Sequence, residues 1–367
     1  GAESASVGQE PVIEVGEDNY RSGMLEALSV KGDVIDKPAD FDANQFRGHT
    51  LYEMARHFVG ADSGSLGKKE LVGRAFTTSD FPLLLADISN NSLRRGWEET
   101  TETWETWCQK GSLSDFKTAK RNNLSQFSDL ELVSENGEYK YGSFTEEGES
   151  ITLATYGKLF PISRQAIIND ELGAFTEIPR RMGRAAARVP GDLAYGILTA
   201  NGLMRDGVAL FSVATHANLT TGAGTVITAA SVGIMRDRMA LQSDASSNAN
   251  GLNIEAQYLI VPVQLRDVAT VLMGSQYDPS STGDSVPNPV AGSMTVIADP
   301  RLSADSAISW YMTAAWDTVE VAFLDGVSAP TLEQQRGWTV DGMEYKVSLD
   351  CAASATDWRG MQKNAGA

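Results

Sequence analysis

The stretch SRQAIINDELGAFTEIPRRMGRAAARVPGDLAYGILTANG, residues 163–202, decides how the rest of the chain is interpreted. Its apolar side chains recur at gaps of three and four residues, which is the spacing of a helical stripe. They are Ile168, Leu172, Phe175, Ile178, Met182, Ala186, Val189, Leu193 and Ile197. Thr176 is placed to cap a helix with Pro179 in its first turn, where proline removes no intrahelical bond. We therefore predict one long helix from about Thr176 to Ala200, bent at Pro190, which suggests an architectural protein.

The composition excludes several classes of protein. With 367 residues, 42% of them hydrophobic, the chain is long enough for two or three domains with real cores. Its formal net charge of −18 argues against a protein that binds nucleic acid mainly through the phosphates, because such binding needs clustered positive charge. No apolar run approaches the length that spans a bilayer and the first residues lack a signal-peptide pattern, so we expect a soluble protein with no membrane partner. The isolated Cys108 and Cys351 predict buried free thiols.

The sequence contains no recognisable catalytic, nucleotide-binding or metal-binding motif. Residues 62–69, DSGSLGKK, resemble a phosphate-binding loop, but an aspartate and a lysine occupy the places of the first glycine and the Ser/Thr. None of the three histidines, His49, His57 and His216, lies in an H-E-x-x-H frame, and there is no G-x-S-x-G sequence. His216 is interpreted as a loop histidine that bonds backbone. We expect no enzymatic activity, cofactor or metal.

Residues 112–161 change from a helical to an alternating pattern, which is typical of strands. Asn136-Gly137 lies between two alternating runs and is a strong hairpin signal, because both residues accept the positive φ angles of a type I′ turn. A two-stranded ribbon is marginal in water by itself, so we expect this one to pack on a neighbouring subunit. The candidate contact residues on it are Lys140, Tyr141, Glu146 and Glu147.

The remaining segments are predicted from the same periodicities. Residues 1–45 are polar and poorly periodic, which predicts an arm that cannot bury itself. Helices are predicted at 50–58, at 68–76, within 78–108 and at 229–242, and a buried strand at 258–263 is followed by a helix. A loop is predicted at 276–292, and strands at 294–298, 308–313, 319–324 and within 337–350. The acidic residues after the 78–97 segment are interpreted as a solvent-facing helix surface, and they are Glu98, Glu99, Glu102 and Glu105.

A basic stripe on the long helix is the most distinctive surface feature. Its arginines are spaced by four and so share one helix face, and they are Arg180, Arg184 and Arg188. Three interpretations remain open. The stripe is a solvated face paired with Glu177 and Asp192, or it docks an acidic segment of another subunit such as residues 146–149, or it lies near enclosed nucleic acid.

An ordered series of blocks carries a family resemblance. The blocks are TTSDFPLLLADI (77–88), WCQKGSLSDFK (107–117), the segment from ENGEYKYG to ELGAF (135–175), LFSVATHANL (210–219), YLIVPVQL (258–265), RLSADSAISWYM (301–312), VEVAFLDG (319–326) and GWTVDGMEYKVSLDCAASATDWRGMQKN (337–364). In this order they resemble major capsid proteins of tailed bacteriophages with the Hong Kong 97 fold. The similarity is greatest to the major head subunits of Mu-like prophages.

The resemblance implies an α+β fold of Hong Kong 97 type. It implies an N-terminal arm and short helices in 1–75, a helical segment in 76–111 and an extended β-hairpin loop in 112–161. A peripheral domain with a spine helix would comprise 162–228 and 331–367, and an axial domain would comprise 229–330. Some members of the fold cross-link subunits through a loop lysine and an asparagine, for which Lys117, Lys120, Lys140 and Asn364 are the candidates here.

The resemblance also implies a function. The chain is expected to assemble as hexamers and pentamers into an icosahedral shell enclosing phage double-stranded DNA, without sequence-specific binding, in virions built in the bacterial host cytoplasm. Expected partners are further copies of the chain, a scaffold, a maturation protease, a portal and a decoration protein. An encapsulin-like compartment is the alternative within the same fold. A cytosolic enzyme with an unrecognised site is a remote alternative.

Overall fold

The computed structural model describes residues 17–35, 43–60, 64–78, 80–124, 146–222, 224–243, 251–279, 281, 286–315, 318–337 and 342–366. Their helices are α1 (Glu17–Lys31), α2 (Ala43–Phe46), α3 (Leu51–Val59), α4 (Lys68–Ala75), α5 (Asp80–Glu98), α6 (Trp104–Trp107), α7 (Arg164–Ile168), α8 (Gly173–Ala200), α9 (Ala229–Ala240), α10 (Arg266–Gly274) and α11 (Pro300–Asp305). Their strands are β1 (Gln109–Leu113), β2 (Ala119–Leu124), β3 (Glu146–Ile151), β4 (Ala154–Ser163), β5 (Leu219–Thr220), β6 (Tyr258–Pro262), β7 (Thr295–Asp299), β8 (Trp310–Thr313), β9 (Val319–Leu324), β10 (Thr331–Arg336), β11 (Gly342–Ala355) and β12 (Met361–Asn364).

The chain divides into two compact units, each assembled from three separate segments. The first unit comprises Gly1–Glu99, Gly157–Ala186 and Ala329–Ser348. The second comprises Thr100–Tyr156, Ala187–Ser328 and Leu349–Ala367. Helix α8 and strands β4 and β11 contribute residues to both units.

The first unit is built from helices packed around a small piece of sheet. Strand β10 pairs antiparallel with the first half of β11, from Thr331 opposite Ser348 to Arg336 opposite Met343. The aromatic ring of Phe160 in β4 stacks on Tyr345 in β11, with centroids 5.1 Å apart. Buried side chains of α1, α3, α4, α5 and α7 complete one continuous hydrophobic core. The helices predicted at 50–58, 68–76 and within 78–108 are confirmed as α3, α4 and α5.

Helix α1 shows that part of the predicted arm is a core element. Its residues Met24, Ala27 and Leu28 are at most 2% exposed, so the prediction that residues 1–45 cannot bury themselves is wrong for this helix. The apolar residues are spaced at three and four, but serine, glycine and charged residues between them dilute the pattern over its 15 residues. Residues 1–16 and 36–42 of the predicted arm lie outside the described residues.

The long helix is confirmed, but its start differs from the prediction. Helix α8 has 28 residues and begins at Gly173, so it extends about 42 Å. Thr176 is buried inside it and donates a hydrogen bond from its hydroxyl to the Leu172 carbonyl instead of capping the N-terminus. The N–H of Phe175 already bonds the same carbonyl, so helical turns precede Thr176. The helix is continuous through Pro179 and Pro190, and a bend at Pro190 stays a prediction.

The second unit contains a five-stranded sheet in the order β5-β12-β8-β6-β7. Strands β6 and β7 are parallel and are connected through a short 3-10 turn and α10, while β8 runs antiparallel to β6 and β12. Helices α9 and α10 both pack onto the sheet face that carries Leu259, Val261, Trp310 and Met312. The helix at 229–242, the strand-to-helix unit at 258–263 and the three following strands are therefore confirmed.

The second unit also carries a two-stranded ribbon. Strands β2 and β3 pair antiparallel, from Ala119 opposite Ile151 to Leu124 opposite Glu146. At the base of the ribbon Ile151 packs with Leu113, Leu153 and Ala322, close to the pairing of β1 with β9 and of β9 with the end of β11. The prediction of strands within 112–161 is confirmed by β2, β3 and β4. The two alternating runs that flank Asn136-Gly137, the turn itself and the contact residues Lys140 and Tyr141 lie outside the described residues.

Candidate functional site

The arginine stripe finds its principal partner inside the first unit. The Arg180 guanidinium binds both carboxylate oxygens of Glu99, at the end of α5, with Nε donating to Oε2 at 3.0 Å and Nη2 donating to Oε1. Arg184 donates to Oε2 of the same carboxylate at 3.2 Å. A bidentate pair of this kind is among the stronger charge-assisted contacts of proteins. The stripe therefore helps to hold α8 on the end of α5.

The predicted pairing of the stripe with Glu177 and Asp192 is only partly present. Arg181 lies 3.6 Å from the Glu177 carboxylate one turn earlier, and 76% of its side chain is exposed. Asp192 binds Arg301 instead of the stripe, with Nε donating at 2.5 Å. Arg188 is exposed, and its backbone carbonyl accepts a bond from Arg301. Arg181, Arg184 and Arg188 thus remain accessible at the surface of the described subunit.

Replacing Glu99 with glutamine is expected to flatten the acid dependence of stability. The hydrogen bond from Arg180 is the largest cause that lowers the pKa of Glu99 from its ordinary value to about 2. Because the folded pKa is depressed, this stabilisation is complete above about pH 5 and is lost as the pH falls through the unfolded value toward 2. Urea unfolding of the unassembled subunit between about pH 3 and 6 measures it.

A neighbouring glutamate provides the control for this prediction. Glu98 is 61% exposed and pairs with Arg94 on the surface, so Glu98→Gln is expected to leave the acid dependence nearly unchanged. A Glu99→Gln variant whose stability falls with acid as steeply as the wild type would contradict the assignment.

A second partly buried arginine, Arg301, binds the carboxylate of Glu102 in the predicted acidic surface. Arg301 Nη1 lies 2.9 Å from Glu102 and 3.3 Å from Asp299, whose side chains are 10% and 3% exposed. Thr103 joins this network by donating to Asp299 at 2.6 Å. The interpretation of Glu98, Glu99, Glu102 and Glu105 as a solvent-facing surface is therefore wrong for Glu102, while Glu99 is exposed but paired. These two carboxylates bind arginines that lie far away in sequence.

The base of the ribbon is fixed by an ion pair with a buried carboxylate, which the sequence analysis missed. Arg121 of β2 donates from Nε and Nη2 to the two oxygens of Glu320 in β9, at 2.7 and 2.6 Å, and the Glu320 side chain is 6% exposed. Arg121 also donates to the Ser112 carbonyl at 3.2 Å. A side chain at Gly111 would overlap the Glu320 carboxylate. The signal was a single carboxylate in the apolar strand VEVAFL, because a buried charge requires a partner.

The second strand of the ribbon is fixed by a different contact. The Glu149 carboxylate accepts the backbone N–H of Arg205 at 3.0 Å, and the Arg205 guanidinium donates to the Gly148 carbonyl at 3.3 Å. Glu149 is thus engaged within its own chain. Glu146 and Glu147 lie in β3 opposite Leu124 and Asn123, and their proposed contact with an arginine stripe stays a prediction.

His216 is a structural residue of a loop. Its buried ring stacks on Trp358 with centroids 4.1 Å apart. Nδ1 lies 3.0 Å from the Leu210 carbonyl and Nε2 lies 2.7 Å from Asp206. Burial acts to raise the pKa of Asp206, but the hydrogen bonds from His216 and the Val208 N–H together lower it. The interpretation of His216 as a loop histidine that bonds backbone is confirmed.

Asn364 and the two cysteines are buried. Asn364 is fully buried in β12, where its amide nitrogen contacts the Met235 sulfur and its oxygen accepts the Gly366 N–H. The predicted free thiols Cys108 and Cys351 are confirmed as buried, and burial raises the pKa of Cys351 to about 12. Within the described ranges no group of three or more His, Cys, Asp or Glu side chains is arranged to hold a metal ion. None of the helices described combines the length and apolarity needed to cross a bilayer.

Comparison with known proteins gives one family match and several structural similarities. A family model described as phage capsid protein matches residues 146–364. A virus-like particle from Pyrococcus furiosus is 11% identical over 76% of this chain and 98% of its own, with a TM-score of 0.44. The procapsid of bacteriophage JBD30 is 14% identical over 78% and 75%, with a TM-score of 0.42. The SrpI encapsulin from Synechococcus elongatus is 10% identical over 72% and 88%, with a TM-score of 0.44. No match to a curated protein sequence was found.

The family match extends over more than half of the 367 residues. It includes β3, α8, α9 and the whole sheet β5-β12-β8-β6-β7. It confirms the predicted capsid family, and the helices and strands described above confirm the α+β fold class. The protein is a capsid shell component of the virion that associates with further copies of itself. The chain belongs to the phage capsid protein family.

Proposed function

We propose that this chain is the major head protein of a tailed phage, of Hong Kong 97 type and of the Mu-like group, and that it assembles as hexamers and pentamers into an icosahedral shell around double-stranded DNA. The observation that carries the proposal is the β2–β3 ribbon. Among the described strands these two pair only with each other. Because an isolated two-stranded ribbon is marginal in water, the ribbon needs another surface, and a second copy of the chain supplies it.

The proposed parts of the subunit follow the family resemblance. Residues 112–161 are the extended loop that reaches a neighbour, and α8 is the spine helix of a peripheral domain in 162–228 and 331–367. Residues 229–330 are the axial domain, which contains α9, α10 and strands β6 to β8 of the five-stranded sheet. The Arg121–Glu320 pair supports this scheme because it fixes the base of the ribbon.

The charge distribution supports a shell that encloses DNA without binding it tightly. A formal net charge of −18 keeps free subunits soluble and limits their adhesion to DNA before assembly. Against this background, the accessible residues Arg181, Arg184 and Arg188 form a basic surface. We assign it to an acidic neighbour or to the lumen.

Reversing one charge of this basic surface tests its role. The side chain of Arg184 is 46% exposed, so Arg184→Glu is expected to fold and to lower the yield or salt tolerance of assembled particles, because electrostatic contacts weaken with salt. Sedimentation of particles across a salt series measures both quantities. Yield and salt tolerance equal to those of the wild type would remove both roles proposed for the stripe.

In the proposed role the chain acts by repeated contacts and not by catalysis. The buried polar side chains His216, Glu102 and Glu320 serve internal hydrogen bonds, which supports a structural use for them. We propose a scaffold, a maturation protease, a portal and a decoration protein as further partners, with assembly in the host cytoplasm.

Electron microscopy of the purified protein tests the proposed function. Head-sized icosahedral particles, with DNA inside when they are isolated from infected or induced cells, are the expected result. Small DNA-free shells that hold a protein cargo would favour an encapsulin-like compartment. Protein that forms no particle under any condition of salt, pH and concentration would overturn the proposal.

A further inference from the structure

One side of helix α10 presents an apolar surface to solvent within the second unit. Val268 and Val271 are 49% and 53% exposed on this helix. Together with Ile227 and Pro279 they line a hollow of about 330 Å³ whose charged member is Asp267. We call these five residues the α10 face. Exposed valines on adjacent turns of one helix, rimmed by a single charge, are typical of a protein contact surface.

A second apolar surface lies beside strand β5 in the same unit. Leu241 and Val213 are 74% and 59% exposed, and they border a hollow of about 330 Å³ together with Leu219, Thr220 and Arg238. We call these five residues the β5 face. Arg238 is its charged member, and one of its guanidinium nitrogens donates to the Thr220 hydroxyl at 2.7 Å. Because arginine has five N–H donors, this bond leaves others for a partner.

The two faces lie toward opposite ends of the same sheet. Strand β5 is the first strand in the order β5-β12-β8-β6-β7, and it contributes two residues to the β5 face. Helix α10 packs on β6 and β7 at the other end of that order. A surface at one end of a rigid sheet cannot reach the other end of the same copy. It is free to meet that end in a second copy.

We propose that the α10 face of one copy binds the β5 face of the next copy, so that successive copies join head to tail into a closed ring. The inference rests on the proposed function, because a hexamer or pentamer is such a ring, and it assigns the two surfaces that form it. Each face offers two half-exposed or exposed aliphatic side chains and one charge, and the charges, Asp267 and Arg238, have opposite signs. A contact between unlike faces that closes by rotation generates a ring, and complementary charges fix its register.

Cross-linking between two introduced thiols tests the contact. The full chain with Val271→Cys and Leu241→Cys, treated with a short bismaleimide, is expected to give a ladder of covalent oligomers on denaturing gels. The native Cys108 and Cys351 are buried and do not compete. The two single variants are the controls, and each is expected to remain monomeric on the gel because a head-to-tail contact never brings two identical positions together. A dimer from either single variant would replace the ring with a symmetric contact and overturn the proposal.

A charge exchange at Asp267 and Arg238 tests the same contact without any cross-link. Asp267→Arg and Arg238→Asp are each expected to lower the yield of sedimenting particles by about tenfold or more, because like charges then meet across the contact. The variant with both substitutions restores the unlike pair and is expected to recover most of the wild-type yield. Both positions are exposed, and circular dichroism verifies that each variant folds.

The outcomes separate this inference from the proposed function. Particles that form normally while the double-cysteine variant stays monomeric on the gel, or while the two single charge variants keep the wild-type yield, overturn the contact and leave the shell intact. Wild-type protein that forms no particle overturns the proposed function instead.

Discussion

Replacing Arg121 with methionine is expected to lower the free energy of unfolding of the unassembled subunit by about 3 to 5 kcal/mol. The substitution removes the two hydrogen bonds, at 2.6 and 2.7 Å, that Glu320 receives from the guanidinium. The Glu320 side chain is 6% exposed, so its carboxylate would stay buried without this partner, which is costly in a low-dielectric interior. Urea unfolding followed by tryptophan fluorescence measures the change.

Two further variants separate a lost ion pair from a lost side chain. Lys120 precedes Arg121 in β2 and is exposed, so Lys120→Met removes the same charge from the same strand at an expected cost below about 0.5 kcal/mol. The double variant Arg121→Met with Glu320→Leu removes both charges and is expected to be more stable than Arg121→Met alone, because no unpaired carboxylate remains. A double variant less stable than Arg121→Met would show that the unpaired carboxylate of Glu320 does not cause the loss of stability.

The same pair is expected to matter for assembly. Arg121 also binds the Ser112 carbonyl, so its loss releases the ribbon from β1 as well as from β9. A ribbon with a loose base has more orientations to lose when it packs on a neighbour. Arg121→Met is therefore expected to form fewer particles than Lys120→Met at equal concentrations of folded subunit.

The location of the long helix followed from its sequence, but its buried face did not. The spacing predicted a stripe through Ile178, and this side chain is 38% exposed. The buried positions include Pro179, Gly183, Ala187 and Ala194 instead. Hydrophobic periodicity weights large apolar side chains, whereas close helix packing is made by small ones. The pattern thus predicts a helix, but it does not identify the side from which a neighbour approaches.

The ion pairs were beyond prediction for another reason. Glu99 and Arg180 are 81 residues apart, and Arg121 and Glu320 are 199 apart. Charge patterning along a chain identifies pairs one helical turn apart, such as Arg181 with Glu177. Longer pairs depend on the tertiary fold, so the arginine stripe was recognised while its main partner was not.

In the sheet β5-β12-β8-β6-β7 the sequence predicted the three strands β6, β7 and β8, but not β5 and β12. The strand YLIVPV is a continuous apolar run whose residues 259–262 are all buried, and the helix that follows it changes to a spacing of three and four. Strands covered on both faces have this appearance. Half-covered elements such as α1 and the ribbon are harder to recognise, because their burial depends on elements distant in sequence.

Replacing Gly183 with alanine is expected to destabilise the subunit by about 1 to 3 kcal/mol. Helices α5 and α8 approach each other closely at Gly96 and Gly183. A Cβ atom at Gly183 would overlap the Leu93 carbonyl and lie 2.9 Å from the Trp97 nitrogen, and one at Gly96 would overlap the Arg180 carbonyl. These are backbone atoms of helices, so relief requires the helices to separate.

The same substitution in the same helix provides the control. A Cβ atom at Gly196 would have no atom within 4 Å, so Gly196→Ala is expected to stabilise α8 by roughly 0.5 to 1 kcal/mol, as alanine does at open helix positions. Helix propensity alone would give stability changes of the same sign for Gly183→Ala and Gly196→Ala. Changes of opposite sign would therefore come from the close contact at Gly183. Two stabilising substitutions would show that α5 and α8 have room to spare at their crossing.

Alanine substitutions at the crossing of α5 and α8 are predicted to weaken the Glu99–Arg180 ion pair as well. Arg180 supplies both the carbonyl that Gly96 approaches and the guanidinium that binds Glu99. If alanine at Gly96 or Gly183 forces α5 and α8 apart, the bidentate bonds lengthen and the pKa of Glu99 rises toward its ordinary value. Both variants are then expected to lose part of the acid dependence of stability between about pH 5 and 2, in the direction of Glu99→Gln. Combining the two alanines is expected to cost less than the sum of the single effects, because one separation of the helices relieves both overlaps.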